Sequence, residues 1–387
     1  MFLTLSTYTY NDGELLGGLL ENEQGWTLRP DAISIVDDGS TEPFAPPPED
    51  TRIKLIRLET NQGFTTAKAT GIGRAAGDLI LSVDCDMRLA PDWLALAMPH
   101  ALTPDIGLVA GSVARYEGGD TVSRFLNAFD RCDALAVTGE ADFVPGMVFL
   151  MRREVWQAVG GFGGHTRLFG EDHALCTALR QHGYRIFVES RAVGLQTRRL
   201  SRAAMCRRSV VWCRAALLQQ MPHDDRLVPY LFEVAVKPML GRFETSIDLG
   251  EPLFLYLDLL YLALLVSTLL GEAKGKGQIA PEAGDAFGSL FLARLAPYKK
   301  LSRLFALDLA SMGCRLRPDP KGAAASQGWQ DFFMFFEYLE KAGFFAWMES
   351  VGVARLLDED AHTTCSHSRY GELEAAALAR LRGEKNF

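Results

Sequence analysis

The first 93 residues alternate between short apolar runs and amphipathic stretches. Four runs have the length and composition of β-strands, at residues 2–7, 32–36, 53–58 and 79–83. Helical periodicity occupies residues 14–21 and 65–76, between successive strands. Because strand, helix and strand at this spacing form right-handed parallel units, the pattern predicts an α/β fold with a mostly parallel sheet flanked by helices.

Beyond about residue 200 the strand signals stop and long helical stretches follow, which predicts a mainly helical C-terminal region. Its most apolar run, residues 253–270, reaches the lower limit for a membrane span. Asp258 interrupts that run, so a buried core helix is favoured over membrane insertion. The aromatic run at residues 332–347 also favours core packing, with an interfacial helix as the alternative.

Composition excludes several classes of protein. Hydrophobic residues make up 48% of the chain and charged residues 23%, which is ordinary for a globular protein and not for a disordered one. The formal net charge of −8 argues against nucleic acid as a partner, because proteins that bind it nonspecifically carry an excess of Lys and Arg.

Cysteine usage and the first residues bear on location. The seven cysteines form no CxxC pair, which favours reduced thiols in a cytoplasmic protein. Residues 1–5 lack a basic stretch before an apolar one, so we expect a first strand there and not a signal peptide.

Polar residues gather where the predicted strands end. Ligands bind at the carboxyl ends of strands in open α/β sheets, so we expect these clusters to meet in one crevice. Asp84 and Asp86 follow the fourth strand closely, and paired carboxylate oxygens suit Mg²⁺ or Mn²⁺. Two aspartates one residue apart are also typical of a solvated turn, so this pair alone does not define a metal site.

The order of these motifs resembles a known family. Residues 2–93 contain, in sequence, Thr9-Tyr10-Asn11, Val36-Asp37-Asp38-Gly39-Ser40-Thr41, Asn61-Gln62-Gly63, Ala67-Lys68, Gly77-Asp78 and Asp84-Cys85-Asp86. This series is similar to the family 2 glycosyltransferases, which have the Rossmann-like GT-A fold. Gly160-Gly161-Phe162, Gly170-Glu171-Asp172 and Gly183-Tyr184-Arg185-Ile186 resemble the acceptor side of the same family.

The resemblance implies a domain at residues 1–200 that binds the nucleotide sugar and carries the catalytic residues. The mostly helical region at 201–387 would form a lid, bind the acceptor or mediate association. The donor would be a nucleoside-diphosphate sugar, UDP- or GDP-linked. The acceptor would be a hydroxyl of a glycan, lipid-linked or protein molecule, in polysaccharide or glycoconjugate synthesis. We expect a cytoplasmic enzyme, with peripheral contact to the inner face of the membrane as the alternative.

The resemblance also implies roles for individual residues. Donor binding falls to Thr9, Tyr10, Asn11, Asp37, Asp38, Lys68, Asp84, Arg207 and Arg208. Among these, Tyr10 and the Asp37–Asp38 turn would contact the base and Lys68 would lie near the diphosphate. Asp84 and Asp86 form a DXD motif, in which Asp86 would hold the Mg²⁺ or Mn²⁺ ion. A solvated position on a helix is the alternative for Lys68.

Glu171 and Asp172 precede an apolar helical stretch. The N-terminus of a helix stabilises negative charge, so capping alone would explain two acids there. The family resemblance instead makes Asp172 the general base of an inverting transfer, with Glu171 as a supporting acid.

The sequence departs from the family at two positions. Relatives often carry a metal-binding His some two dozen residues after the base, whereas this chain has Gln196 in that stretch. His173 directly follows the base, where relatives often carry a smaller or acidic residue; it would tune the base, bind acceptor or be structural.

Six arginines fall within residues 198–214 of this acidic chain. They predict either a lid that binds the departing diphosphate or a solvated helix face. Arg207-Arg208 and Trp212 only loosely resemble the motif of processive relatives, so we expect a non-processive enzyme.

Two other functions compete with glycosyl transfer. A sugar nucleotidyltransferase also uses an α/β sheet and a metal, but its glycine-rich activation loop is missing near the first strand. A catalytically inactive binding protein with the GT-A fold would keep the motifs and lose turnover, and the missing His gives that alternative some weight.

Overall fold

A computed structural model describes residues 1–115, 120–129, 137–163, 170–279, 282–316 and 327–363. Within them the strands are β1 Leu3–Thr9, β2 Ala32–Asp37, β3 Ile53–Arg57, β4 Leu79–Val83, β5 Met87–Leu89, β6 Ile106–Arg115, β7 Gly139–Ala141, β8 Val148–Arg152 and β9 Arg185–Gln196. The helices before residue 200 are α1 Gly13–Gln24, α2 Phe64–Arg74, α3 Trp93–Ala101, α4 Thr121–Phe129, α5 Arg153–Ala158 and α6 Glu171–Gln181.

The later helices fill the rest of the described chain. They are α7 Arg202–Gln220, α8 Leu227–Leu231, α9 Lys237–Asp248, α10 Leu253–Gly275, α11 Glu282–Leu295, α12 Lys299–Ser311, α13 Gln327–Phe332, α14 Met334–Lys341, α15 Phe344–Trp347 and α16 Val353–Thr363. Two π-helical turns, Phe232–Val236 and Met348–Gly352, join α8 to α9 and α15 to α16.

The nine strands form one mixed sheet in the order β3-β2-β1-β4-β8-β6-β9-β5, with β7 also paired to β9. The predicted α/β class is confirmed, and β3, β2, β1 and β4 are all parallel. Beyond β4 the sheet is less parallel than predicted, because β8 runs antiparallel to both β4 and β6, and β5 runs antiparallel to β9. The reversal places the start of β8 beside the end of β4.

Both faces of this sheet are covered. Leu5, Leu81 and Leu150 point to the face packed by helices α1 and α3, while Ile80 and Phe149 point to the face packed by α2, α5 and α6. Successive residues of a strand alternate between faces, so strands buried on both sides become continuously apolar. This explains why β4 is apolar at every position except Ser82.

The chain divides into two compact units, Met1–Glu117 with Leu126–Arg198 and Gly118–Phe125 with Arg199–Phe387. In the described residues of the second unit the regular elements are all helices, as the sequence predicts. Among the described helices, α10 alone is long and apolar enough to cross a membrane, but 83% of its most apolar window is buried inside the protein. This burial agrees with the predicted core helix.

Aromatic side chains of the second unit pack against one another. The ring of Phe291 lies 5.4 Å from that of Phe336, which in turn stacks on Phe345 at 5.1 Å. Most of the aromatic run at residues 332–347 is buried, whereas Tyr338 keeps 55% of its surface exposed. Core packing is therefore the main role of this run, as predicted.

The cysteines in the described chain are all free, in line with the prediction of reduced thiols. They are Cys85, Cys176, Cys206, Cys213 and Cys314. Burial raises the pKa of the Cys176 thiol to about 11, so this thiol stays protonated at neutral pH. Cys132 and Cys365 lie outside the described residues.

The turn after β2 depends on one glycine. Gly39 has a φ of +74°, and a Cβ atom there would lie 2.6 Å from the Thr60 carbonyl carbon. Both the backbone conformation and the contact exclude a side chain.

We predict that Gly39→Ala destabilises the protein by about 1–3 kcal/mol, because it combines a left-handed backbone with a clash against backbone atoms. Gly73→Ala is the matched control: Gly73 lies in α2 with nothing within 4 Å of its added Cβ. Since Ala is the better helix former by about 0.8–1 kcal/mol, the control should be neutral or stabilising. Thermal unfolding of both variants tests this, and equal melting temperatures would contradict it.

Candidate functional site

The predicted polar clusters lie together at one edge of the sheet, within the first unit. Thr9 and Asp37 are directly paired at the ends of β1 and β2. Asp84 follows β4, and its backbone N–H donates to the Met147 carbonyl at 2.9 Å, next to the start of β8. The strand ends therefore converge as the sequence predicts, and the antiparallel β8 adds residues that the sequence analysis did not include.

Asp37 and Asp38 hold loops in place. Each is almost fully buried. Asp37 accepts from the Ser40 N–H at 2.8 Å and pairs with Arg57 at 2.7 Å, whereas Asp38 accepts from the Gln62 and Gly63 N–H groups at 2.7 and 2.9 Å. Their carboxylates bind the loop backbone, so a direct contact with the base stays a prediction.

The segment after β1 presents one ring to solvent. Asn11 has a φ of +56° and accepts from the Thr41 N–H at 2.9 Å, which ties this segment to the turn after β2. Tyr10, beside it, is 43% exposed. The hydroxyl of Thr9 is buried and has no hydrogen-bond partner among the described residues. Because its ring is exposed, Tyr10 is available to stack on a ligand.

Lys68 connects the two acidic parts of the site. It is only 3% exposed, and its Nζ donates to Asp84 Oδ1 at 2.7 Å and to the Gly146 carbonyl. The same ammonium lies 5.8 Å from the ring centres of Tyr8 and Phe149. The alternative interpretation of Lys68 as a solvated helix residue is therefore wrong.

Gly146 marks where the catalytic candidates approach Lys68. A Cβ atom added at Gly146 would lie 3.5 Å from Lys68 Nζ, 3.5 Å from Asp172 Cβ and 3.6 Å from Glu171 Oε1. Gly146 was not among the predicted site residues, because a glycine before a strand carries no chemical signal of its own. The structure therefore brings Lys68, Glu171 and Asp172 together around a residue without a side chain.

Burial determines the protonation of the acids near Lys68. It raises the pKa of Asp84 above its ordinary value, and the Lys68 ammonium opposes this rise without cancelling it. Burial also raises the pKa of Glu171 to about 7, with Lys68 opposing and Asp172 adding to the effect. Glu171 thus changes its charge near neutral pH.

Asp172 lies in the first turn of α6 and is only partly buried. Its Oδ1 accepts from the N–H of the next residue at 2.8 Å. The ring of that residue, His173, stacks on Phe143 with centres 4.1 Å apart, which favours a structural role for the imidazole. A carboxylate that is partly exposed beside a buried cation can accept a proton from a bound hydroxyl.

Asp86 is bound by two side chains from the end of β9. Its Oδ2 accepts from Arg198 Nε at 2.8 Å and from Gln196 Nε2 at 3.1 Å. Gln196 thus contacts Asp86 from the stretch where relatives carry a metal-binding His. Arg198 also makes two bonds to Asp12, at 2.7 and 3.1 Å.

The residues present do not fit the predicted Mg²⁺ or Mn²⁺ ion. A cation at Asp86 would lie against the Arg198 guanidinium, which already neutralises this carboxylate. Among the described residues, no three acidic, His or Cys side chains converge as ligands. Among the described residues, the Asp84–Asp86 pair therefore has no third protein ligand for a metal ion, and Arg198 competes with such an ion for Asp86.

The other arginines of residues 198–214 are dispersed within the second unit. Arg202 is buried between Asp308 and Asp360. Arg207 donates to the Ser311 carbonyl at 2.9 Å, and the Arg208 guanidinium lies 4.5 Å above the Trp212 ring. Donor binding by Arg207 and Arg208 stays a prediction.

Comparison with known proteins gives one family match. The model of the family described as glycosyl transferase family 2 matches residues 6–162, which include β1 to β8 and the site residues up to Gly146.

Among similar proteins, an N-acetylglucosaminyltransferase of Sinorhizobium fredii is 25% identical over 59% of this chain and 58% of its own length. The O-antigen chain rhamnosyltransferase RfbN of Salmonella typhimurium is 25% identical over 50% of this chain and 65% of its own length. The chain thus spans less than two thirds of each of these curated relatives. A mannosyltransferase from Pyrobaculum calidifontis, solved with GDP-Man and Mn²⁺, is similar in structure with a TM-score of 0.42, 22% identity and coverage of 80% of this chain and 85% of that one.

We predict that Glu171 makes stability depend on pH. Its pKa is about 7 in the folded protein and ordinarily 4.5, so the folded state holds the proton more tightly. This contribution to stability is complete below pH 4.5 and is lost as pH rises through 7; it amounts to at most about 3 kcal/mol. Glu171→Gln should remove this loss. The stability of the variant relative to that of the wild type should therefore increase as pH rises from 4.5 to 7.

Melting temperatures of both proteins across this range provide the measurement. Glu154→Gln is the control, because the Glu154 side chain is 76% exposed. It should follow the wild-type curve. A constant difference between Glu171→Gln and wild type at all pH values would contradict the assignment.

Proposed function

We propose that the chain is an inverting glycosyltransferase, on the ground that the model of glycosyl transferase family 2 matches residues 6–162. It moves a hexosyl group from a UDP- or GDP-linked donor to an acceptor hydroxyl, with Asp172 as the general base. The acceptor is a hydroxyl on a glycan, a lipid-linked molecule or a protein. The named activities of the relatives, transfer of N-acetylglucosamine and of rhamnose, support sugar transfer as the reaction class.

The observation that carries this proposal is the convergence on Lys68. One buried ammonium contacts Asp84 at the end of β4 and lies beside Glu171 and Asp172 at the start of α6. Asp84 belongs to the predicted donor side and Asp172 to the predicted acceptor side. A donor sugar bound at this edge of the sheet would therefore have its anomeric carbon near a proton acceptor.

The proposed reaction is a single displacement. Asp172 takes the proton of the acceptor hydroxyl, whose oxygen attacks the anomeric carbon of the donor sugar. The new carbon–oxygen bond forms as the bond to the diphosphate oxygen breaks, and the electron pair leaves with the nucleoside diphosphate. Attack from the face opposite the leaving group inverts the configuration.

Glu171 has a different role from Asp172 in the proposed reaction. Its pKa of about 7 means that a large fraction is neutral at physiological pH. A neutral Glu171 removes one negative charge from the surroundings of Asp172 and Lys68, and its protonated form can donate a hydrogen bond to a sugar or acceptor oxygen. We assign it the role of a supporting acid.

The predicted Mg²⁺ or Mn²⁺ ion has no step in this reaction, since the side chains around Asp86 do not fit it. The proposed location is the cytoplasm, with peripheral membrane contact as a further expectation. The burial of α10 supports a protein that does not span the membrane through this helix.

We predict that Asp172→Asn lowers kcat by about 10²- to 10⁴-fold while donor affinity stays nearly unchanged, because the amide keeps the size of the side chain and cannot take a proton. Asp142→Asn is the matched control, since the Asp142 side chain is 93% exposed and its contact with Arg180 spans 3.5 Å. Transfer assays with UDP- and GDP-sugars, together with nucleotide titrations, provide both quantities.

Asn caps a helix about as well as Asp, so a capping role alone would leave the activity of this variant near normal. Retention of more than about a tenth of wild-type kcat would therefore reject Asp172 as the base. A product whose anomeric configuration by NMR matches that of the donor would reject the single displacement. Absence of transfer from every donor, with intact nucleotide binding, would favour the inactive binding protein.

A further inference from the structure

We propose that the Arg198 guanidinium binds the diphosphate of the donor, so that the nucleotide binds without a divalent ion. This inference rests on the proposed function, because it assigns the cation at the same nucleotide site. It departs from the metal dependence that the DXD motif predicts. The observations that carry it are the contacts of Arg198, its remaining donors and the charge balance around Asp86.

Arg198 is fixed between two loops at the predicted donor side. Its Nε donates to Asp86, which follows β4, and its terminal nitrogens donate to Asp12, which follows β1. Strands β1 and β4 are adjacent and parallel, so their ends border the same part of the sheet edge. A diphosphate between Tyr10 and the DXD motif would lie in this interval.

The guanidinium still has hydrogen bonds to offer. Arginine carries five N–H donors, and these three contacts use one at each nitrogen. One N–H on each terminal nitrogen is left, and the side chain is 31% exposed. These two N–H groups point in different directions, because Asp12 occupies the end of the guanidinium between the terminal nitrogens, so each can donate to a different oxygen of a diphosphate.

The carboxylates of the DXD motif already have partners of opposite charge. Asp12, Asp84 and Asp86 supply three carboxylates, while Lys68 and Arg198 pair directly with them. Arg88, on β5, also interacts electrostatically with Asp86. Asp84 and Asp86 are thus each paired with a cation of the protein, so a divalent ion would gain less attraction here than from two unpaired carboxylates.

A divalent ion would have to displace existing contacts. It would need Asp86 to release Arg198 and Gln196, and the freed guanidinium would then lie close to a second cation. Arg198 is held by three hydrogen bonds to carboxylates, all between 2.7 and 3.1 Å, which are strong because both partners are charged. The geometry favours Arg198 as the resident cation.

The test is a calorimetric titration of the full chain with UDP and with GDP, in EDTA and in Mn²⁺. We expect the wild type to bind one of these nucleotides with affinities that agree within about threefold in the two buffers. Arg198→Gln should weaken binding by about 10- to 100-fold in EDTA, the loss typical of a hydrogen-bonded charged group. Arg199→Gln is the control, because Arg199 is adjacent and exposed, and it should bind as the wild type does.

Arg198→Lys separates charge from geometry: it should recover part of the affinity, since it restores the charge without the planar pair of donors. Wild-type affinity that is lost in EDTA and restored by Mn²⁺ would overturn the inference and leave the glycosyltransferase proposal standing. Unchanged affinity of a folded Arg198→Gln would also overturn it. The comparison of buffers uses the wild type alone, so it decides the matter even if that variant fails to fold. Absence of nucleotide binding in both buffers would overturn both proposals.

Discussion

The buried contact between Lys68 and Asp84 is the interaction on which the rest of the site depends. A lysine that is 3% exposed would be costly to bury without a charged partner, and Asp84 at 2.7 Å supplies one. Removal of one member of such a pair typically costs about 3–5 kcal/mol, because the other charge is left buried and uncompensated. The pair also joins α2 to the end of β4, so the helix and the sheet edge are held in one arrangement.

The same ammonium influences the acids of α6. Lys68 opposes the rise of the Glu171 pKa that burial causes, and Asp172 adds to that rise. One cation therefore stabilises the carboxylate at the donor side and sets the charge near the proposed base. Arg198 has the corresponding position on the other side of the DXD motif, where it neutralises Asp86 and Asp12. Asp84 is thus paired with Lys68, and Asp86 and Asp12 share Arg198.

The sequence predicts β1 to β4 and the helical C-terminal region well, but it predicts neither β5 to β9 nor the contacts between distant residues. Strand β4 is predicted at its observed residues, because four apolar positions and Ser82 between turn signals leave little choice. The partner of Asp86 could not be predicted, since Arg198 is 112 positions away and nothing local indicates which of six nearby arginines reaches it. Strand β8 and its antiparallel direction are both absent from the prediction, because pairing is decided by tertiary packing and not by the pattern of one strand.

A crystal structure of the full chain with bound UDP or GDP tests the central claim most directly. We expect the diphosphate at the ends of β1 and β4, with phosphate oxygens within hydrogen-bond distance of the Arg198 terminal nitrogens and the base beside Tyr10. Lys68 should remain paired with Asp84, and Asp172 should face the space beyond the terminal phosphate. A nucleotide bound elsewhere, or one with its diphosphate remote from this sheet edge, would contradict the account.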